Sequence, residues 1–240
     1  MPLPRRVEPE LLDSLPADDP RALRSRRDLR RINTLMLQSR IMARLLIWCR
    51  SGKPPPHLLI ELGGGDGWFT LEIGRRLWRI WPGVTVIAVD RQKAVSDEAR
   101  ERLSQFGWSL QPITADVFDF LGAPDAFGAD IVMANLFLHH FSGAELTRLI
   151  SAALPCTTAI AACEPRRAPH SLAASKLLFA IGCNAVSRHD AVTSVRAGFR
   201  DQEISGLLAD VSGWDVHEAA AFPFTHCFAA RRKPSGNAHV

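Results

Sequence analysis

Residues 60–68 read Ile60-Glu61-Leu62-Gly63-Gly64-Gly65-Asp66-Gly67-Trp68. The apolar residues Leu58–Ile60 lead directly into this glycine-rich segment, and apolar residues return at helical spacing from Phe69 to Leu77. This order predicts a strand, a tight turn and a helix, the opening unit of an open α/β sheet. Such a turn lies at the carboxyl end of a strand, where these sheets bind ligands. Glycines there permit positive φ and let a ligand approach the backbone, so we expect a ligand site.

Two ligand classes compete for this turn. A dinucleotide-binding turn reads G-x-G-x-x-G and places a pyrophosphate on the helix N-terminus. Gly63 and Gly65 fit its first two glycines, but Trp68 stands at the third position. The segment instead reads acidic-x-G-x-G-x-G from Glu61 to Gly67, and in this form it resembles the first motif of class I S-adenosylmethionine-dependent methyltransferases. In that family the loop surrounds the aminocarboxypropyl end of a ligand without phosphate, which is compatible with a neighbouring carboxylate.

The amino-acid composition indicates the class of protein and the cellular compartment to expect. The chain has 240 residues, of which 47% are hydrophobic, which suits one α/β domain with a sizeable core. No apolar stretch approaches the roughly 18 residues that span a bilayer, and no apolar block follows the basic N-terminus, so we expect neither a membrane span nor a secretory signal. Five widely spaced cysteines without a C-x-x-C pair predict no disulfide framework and no metal site. A cytoplasmic location follows as the expectation.

Positive charge is concentrated before the first strand. The net charge is only +4, yet six arginines fall within residues 21–31. A solvated helix face is the expected explanation, and a patch for nucleic acid or an anionic membrane is the alternative. Because this segment lacks the aromatic residues that usually accompany single-strand binding, we expect no nucleic-acid partner.

The chain divides into a lead-in with a cap helix, residues 1–52, and a catalytic domain, residues 53–240. Residues 1–18 are rich in proline and predict irregular structure. Asp19 followed by Pro20 predicts a helix start, and a long amphipathic helix over residues 20–50 should end at Gly52. We expect this helix to close over the acceptor through its apolar face, which carries Leu35, Met36 and Met42.

Strands and helices alternate after His57, which predicts a mostly parallel sheet. The resemblance implies a Rossmann-like α/β fold of seven strands, with a C-terminal hairpin placing an antiparallel strand in the sheet. The predicted strands are Leu58–Leu62, Val84–Asp90, Ser109–Ala115, Asp130–Asn135, Thr157–Cys163, Trp214–Ala220 and Phe224–Arg232. The predicted helices are Gly67–Arg79, Ala94–Phe106, Ser142–Leu154, Ser171–Val186 and a short one near Asp201–Asp210.

Polar residues at the carboxyl ends of these strands are candidate cofactor ligands. Asp90 ends the second strand, where a carboxylate can accept from both ribose hydroxyls, and Arg91 lies beside it. The resemblance implies that Asp116 accepts from the adenine amino group, with Asp119 as the alternative. The candidate cofactor-binding residues are Glu61, Gly63, Gly65, Asp90, Arg91, Asp116, Val117 and Asn135.

Three histidines are candidate general bases. His139 and His140 follow the fourth strand, where a small acceptor would enter, and either ring can take a proton near neutral pH. The alternative is that one ring packs on the cofactor or caps the next helix. His189 is a third candidate, in a segment that we expect to be a connector, although its neighbour Asp190 should not be able to orient it.

The resemblance implies methyl transfer from S-adenosylmethionine to an oxygen, less readily a carbon, of a small molecule. The sequence Leu-Phe-Leu-His-His at residues 136–140 resembles small-molecule methyltransferases and lacks the Asn/Asp-Pro-Pro-Tyr/Phe motif of N-methyltransferases. Residues 187–196 resemble a segment of bacterial secondary-metabolism methyltransferases acting on polyketide-derived phenols or quinones, which implies an aromatic or polyketide-like acceptor. The alternatives are an RNA methyltransferase and a non-catalytic cofactor-binding partner protein.

Overall fold

A seven-stranded sheet organises the chain, which a computed structural model describes over residues 3–123, 128–208 and 212–233. The strand order is β3-β2-β1-β4-β5-β7-β6, in which β1 to β5 run parallel and β7 runs antiparallel to both β5 and β6. The predicted Rossmann-like fold is confirmed. The strands are β1 (Leu58–Leu62), β2 (Thr85–Asp90), β3 (Ser109–Thr114), β4 (Ile131–Asn135), β5 (Ala159–Pro165), β6 (Trp214–Ala221) and β7 (Thr225–Arg232).

Helices cover both faces of the sheet, because successive strand side chains point to opposite faces. Leu59 and Met133 contribute to one apolar core, and their neighbours Ile60 and Val132 contribute to the other. Helices α3, α4 and α5 pack on the first face, while α6 and α7 pack on the second. The helices are α1 (Leu11–Ser14), α2 (Pro20–Leu35), α3 (Gln38–Arg50), α4 (Trp68–Leu77), α5 (Asp97–Ser104), α6 (Val117–Leu121), α7 (Gly143–Ala153), α8 (Pro169–Lys176) and α9 (Ala185–Ala197).

The N-terminal region differs from the prediction of one long helix. Leu37 adopts a left-handed conformation with φ of 56°, which breaks the chain into α2 and α3. Helix α3 then buries Met42 and its neighbours in the same core as the sheet. The prediction that Met42 faces the acceptor is therefore wrong, because its side chain is fully buried in that core. A cap formed by the residues before Leu37 stays a prediction.

The region after β5 also differs from the prediction. The predicted helix Ser171–Val186 is two pieces, because α8 gives way to a 3₁₀ turn, Leu178–Ile181, and Gly182 at φ 76° stops it. Asn184 caps a new helix by accepting from the backbone N–H of Ser187. The predicted connector, residues 187–196, is therefore the body of α9.

Two smaller expectations also change. The lead-in contains the short helix α1, and the helix predicted near Asp201–Asp210 is a 3₁₀ turn at Ser205–Leu207, with residues 209–210 outside the described residues. Across the described parts of the chain, no helix has both the length and the apolar character that crossing a bilayer requires.

Candidate active site

Backbone hydrogen bonds hold the glycine turn against β2. The N–H groups of Gly63 and Gly64 both donate to the carbonyl of Val89, at 2.9 and 3.1 Å. Gly63, Gly65 and Gly67 have φ of 74°, 52° and 77°, a region that residues with a Cβ rarely adopt. The turn can therefore present its backbone at the carboxyl ends of β1 and β2 only because these positions are glycine.

The first cavity, which we call the glycine-loop cavity, has a volume of about 450 Å³ and is lined by Glu61, the glycine turn, Asp90 and Asn135. Glu61 is buried and accepts a hydrogen bond from Thr70. Burial raises its pKa to about 8, against the effect of the Thr70 hydrogen bond. Asn135 Oδ1 is also buried and has no hydrogen-bond partner in the described chain. A buried carboxyl and an unpartnered oxygen suit a ligand that carries an ammonium group.

The second cavity, the histidine cavity, has a volume of about 810 Å³ and shares Gly63, Asp90 and Arg91 with the first. Asp90 lies between them, where its carboxylate accepts from the N–H groups of Gly65 and Gln92 at 2.9 and 2.8 Å. Asp116, which caps α6 by accepting from the N–H of Phe118, lines this cavity with Val117. All eight predicted cofactor residues thus line one or both cavities, while their individual roles stay predictions.

His139 lies between two carboxylates. Its Nδ1 is 2.7 Å from Glu164 Oε2, and its Nε2 is 3.2 Å from Glu10 Oε1. Burial lowers the pKa of His139, but the hydrogen bonds with Glu10 and Glu164 outweigh burial and raise it to about 9. The ring is therefore an imidazolium at neutral pH with both nitrogens engaged. This arrangement argues against the prediction that His139 is the general base.

Glu10 is the partner that sequence reasoning missed. Burial raises the pKa of this carboxyl, but the hydrogen bond and charge of His139, with the charge of His140, lower it to about 2. Glu10 also accepts from the hydroxyl of Ser194 on α9. It lies in the segment predicted to be irregular, and no local pattern distinguishes it from the other acidic residues there.

His140 and His189 have different surroundings. His140 lines the histidine cavity, and its Nδ1 is 3.3 Å from a carboxylate oxygen of Asp13. His189 is exposed on α9 and lines none of the three cavities described in this section. Its Nδ1 lies 3.0 Å from Asp190 Oδ1, so the expectation that these neighbours cannot pair is wrong. The structure brings His140, and not His189, to the site.

Glu10, His139 and His140 also place potential metal-ligand atoms within 4.8 Å of one another. A metal requires a ring nitrogen with a free lone pair. Both nitrogens of His139 face carboxylates instead, which is the arrangement of a proton donor. The absence of a catalytic metal stays a prediction.

The third cavity, the apolar cavity, has a volume of about 390 Å³ and lies between α2, α8, the 3₁₀ turn and α9. Leu12, Leu29 and Leu136 line all three cavities, so the three meet at these side chains. Leu136 follows β4 in a left-handed conformation, with φ of 51°. Such conformations in residues other than glycine concentrate at functional sites. The described chain therefore joins two polar cavities to one apolar cavity at a single point.

Comparisons with known proteins agree with this geometry. Residues 59–158 match the family described as methyltransferase domain. The plantazolicin methyltransferase BpumL, solved with S-adenosylhomocysteine, is 14% identical with a TM-score of 0.63 over 90% of this chain and 91% of that one. No curated protein matches the chain.

Two further solved structures share the fold. An O-methyltransferase family protein from Burkholderia thailandensis is 20% identical with a TM-score of 0.62, over 91% of this chain and 62% of that one. Magnesium protoporphyrin IX methyltransferase from Synechocystis, solved with S-adenosylhomocysteine, is 15% identical with a TM-score of 0.53, over 82% and 83%.

The charge state of His139 predicts a pH-dependent stability. Its folded-state pKa of about 9 exceeds the ordinary value of 6.5. The charged ring therefore contributes fully to the free energy of unfolding below pH 6.5, and this contribution is lost as the pH rises through about 9. We expect this contribution to be about 3 kcal/mol. Denaturant unfolding of the wild type and His139→Gln should show a wild-type advantage that shrinks over this window. His189→Gln, on an exposed ring, is the control, and an advantage independent of pH would contradict the assignment.

Proposed function

We propose that this chain, whose residues 59–158 match a methyltransferase domain, transfers a methyl group from S-adenosylmethionine to an oxygen, in preference to a carbon, of a small aromatic or polyketide-derived acceptor. The meeting of the apolar cavity with the two polar cavities at Leu12, Leu29 and Leu136 carries this proposal. A cofactor and an acceptor bound on either side of this point would bring their reacting atoms together.

The polar cavities suit the two ends of the cofactor. Its amino-acid tail would lie in the glycine-loop cavity, where Glu61 and Asn135 supply acceptors for an ammonium group. Its ribose and adenine would lie in the histidine cavity, where Asp90 and Asp116 supply acceptors for hydroxyl and amino groups. This assignment explains why an acidic residue precedes the glycine turn, since no phosphate has to approach it.

The apolar cavity suits an acceptor with a largely hydrophobic body. Its walls carry aliphatic and aromatic side chains such as Ile32, Leu178 and Phe224. The hydroxyl of Ser171 is buried in the same wall and has no partner in the described chain, so it can bind one polar group of the acceptor. The names of two neighbours, a plantazolicin methyltransferase and a magnesium protoporphyrin IX methyltransferase, support an acceptor other than nucleic acid.

Catalysis requires alignment and removal of one proton. The bound cofactor supplies a methyl group made electrophilic by its sulfonium. Walls formed by Leu12, Leu29 and Leu136 would exclude water and align the acceptor oxygen, and such alignment can supply much of the rate. His140 is the proposed base for a hydroxyl acceptor. It lines the histidine cavity, which meets the apolar cavity at Leu136, and, unlike His139, it is not held between two carboxylates.

The arginine-rich helix gives little support to RNA as the acceptor. Arg21 pairs with Asp19, Arg30 with Asp66, and Arg26 donates to Gln92 and a backbone carbonyl. These three guanidiniums bind within the protein, which reduces the positive charge that the helix offers to RNA phosphates. All five cysteines are free and buried, which suits the reducing cytoplasm that we propose as its compartment.

Labelled methyl transfer tests the proposed function. Cell extract incubated with the protein and deuteromethyl cofactor should yield a mass-shifted aromatic or polyketide-like metabolite. Ala174→Trp fills the apolar cavity and should abolish the transfer while S-adenosylhomocysteine still binds, whereas Ala173→Trp, exposed on the same helix, should not. Cofactor binding without any labelled metabolite would favour the non-catalytic alternative, and full transfer by Ala174→Trp would contradict the acceptor site.

Asp90→Asn should weaken the binding of S-adenosylhomocysteine. Loss of hydrogen bonds to a charged group costs about 1.5–3 kcal/mol, which corresponds to about a 10- to 100-fold rise in Kd. Isothermal titration of the wild type and the variant measures this change. Asp97→Asn is the matched control, because its carboxylate lies almost fully exposed on α5, away from the cavities. Equal affinity for wild type and Asp90→Asn would remove Asp90 from the cofactor site.

His140→Ala should reduce kcat for a hydroxyl acceptor by about 10²–10⁴-fold, the usual contribution of a general base. The Kd for S-adenosylhomocysteine should change much less than kcat, since the ring is assigned to proton removal although it lines the histidine cavity. The loss should be smaller for an acceptor whose hydroxyl is already ionised. His189→Ala, outside the cavities, should keep wild-type turnover. Wild-type turnover by His140→Ala would show that alignment alone suffices.

A further inference from the structure

Large apolar side chains are exposed where the apolar cavity reaches the surface. Leu35 at the end of α2 and Leu177 after α8 both line this cavity, and they are 58% and 59% exposed. Phe179, in the 3₁₀ turn that follows, is 58% exposed, and Ile181 at the end of that turn is also exposed and lines the cavity. We call these four residues the apolar rim. Exposed apolar side chains grouped at one place indicate a contact surface.

Three arginines lie near one end of this rim, where Gly182 and Cys183 follow the 3₁₀ turn. Arg24 donates to the carbonyl of Gly182, the residue directly after the 3₁₀ turn. Burial raises the pKa of the Cys183 thiol, and the charges of Arg31, Arg188 and Arg24 act against that rise, which places all three guanidiniums near this turn. Their side chains are exposed, and Arg31 Nη1 lies 3.6 Å from a carboxylate oxygen of Asp28, the buried acid that also faces Cys183.

We propose that the apolar rim docks on the surface of a lipid bilayer that contains anionic phospholipid, with Arg24, Arg31 and Arg188 against the headgroups. Apolar side chains on a short exposed turn insert at the boundary between headgroups and acyl chains, and neighbouring basic residues add attraction to anionic lipid. The arginines that face Cys183 are thus complementary in charge to the proposed partner.

Docking of the apolar rim would also determine how an acceptor reaches the apolar cavity. Docking would place the cavity mouth, between Leu35 and Leu177, against the acyl region. A hydrophobic acceptor concentrated in the bilayer would then enter without crossing water. This consequence rests on the proposed function, whereas the docking itself does not.

Vesicle flotation of the full chain tests the docking without any acceptor. The protein should float with vesicles of phosphatidylcholine and phosphatidylglycerol, bind poorly to phosphatidylcholine alone, and dissociate at high salt. Phe179→Ser should weaken the binding by about 10-fold or more, because burial of a phenyl group is lost. Arg188→Glu should weaken it several-fold on anionic vesicles only.

Ile80→Ser is the matched control. Ile80 is 53% exposed and lies between α4 and the start of β2. It is therefore near the amino ends of the strands, whereas the cavities are at the carboxyl ends, so Ile80→Ser should not change flotation. Unchanged affinity for S-adenosylhomocysteine would show that Phe179→Ser and Arg188→Glu are folded. Labelled methyl transfer in vesicle-free solution tests the proposed function alone. A protein that transfers the label but does not float would therefore contradict the docking and leave the proposed function intact.

Three outcomes would overturn the docking proposal. The first is no flotation with anionic vesicles. The second is equal flotation of Phe179→Ser and the wild type. The third is a stable dimer by light scattering that Phe179→Ser dissociates, because the apolar rim would then be covered by a second copy of this chain.

Discussion

The amides of the glycine turn bind the end of β2, and the rest of the site depends on this contact. Gly63 and Gly64 donate to the carbonyl of Val89, and Gly65 donates to the carboxylate of Asp90. Three left-handed glycines make this geometry accessible. The turn consequently leaves a polar cavity on each side of Asp90 and places Glu61 at the base of one of them. A Cβ at Gly63 would clash with the ring of Phe137, and one at Gly67 would clash with Leu110.

A second interaction closes the site from a distant part of the sequence. The imidazolium of His139 joins Glu164 at the end of β5 to Glu10 in the N-terminal segment. Arg5 supports the same closure by donating to the carbonyls of Phe141 and Ala197. Buried ion pairs contribute little net stability, but breaking one leaves an unpaired charge that is costly. The cluster therefore fixes the position of the segment that forms a wall of both the histidine cavity and the apolar cavity.

The sheet, and the position of the eight candidate cofactor residues around the two polar cavities, were predictable from the sequence because both depend on local patterns. The strand boundaries follow from apolar runs, and the site residues follow from polar groups at strand ends. The acceptor side was not predictable in the same way. Leucine favours helices, so the sequence does not predict the break at Leu37 between α2 and α3. The start of α9 was not predicted either, because its cap, Asn184, lies inside a segment that reads as one continuous helix. Glu10 reaches His139 across 129 positions, which no local pattern reveals.

A crystal structure with bound S-adenosylhomocysteine tests the proposed cofactor site most directly. We expect the amino-acid tail beside Glu61, the ribose at Asp90, the adenine near Asp116 and the sulfur facing the apolar cavity at Leu136. A glycine turn filled by side chains of the protein itself, or a ligand bound with its sulfur directed away from Leu136, would contradict it.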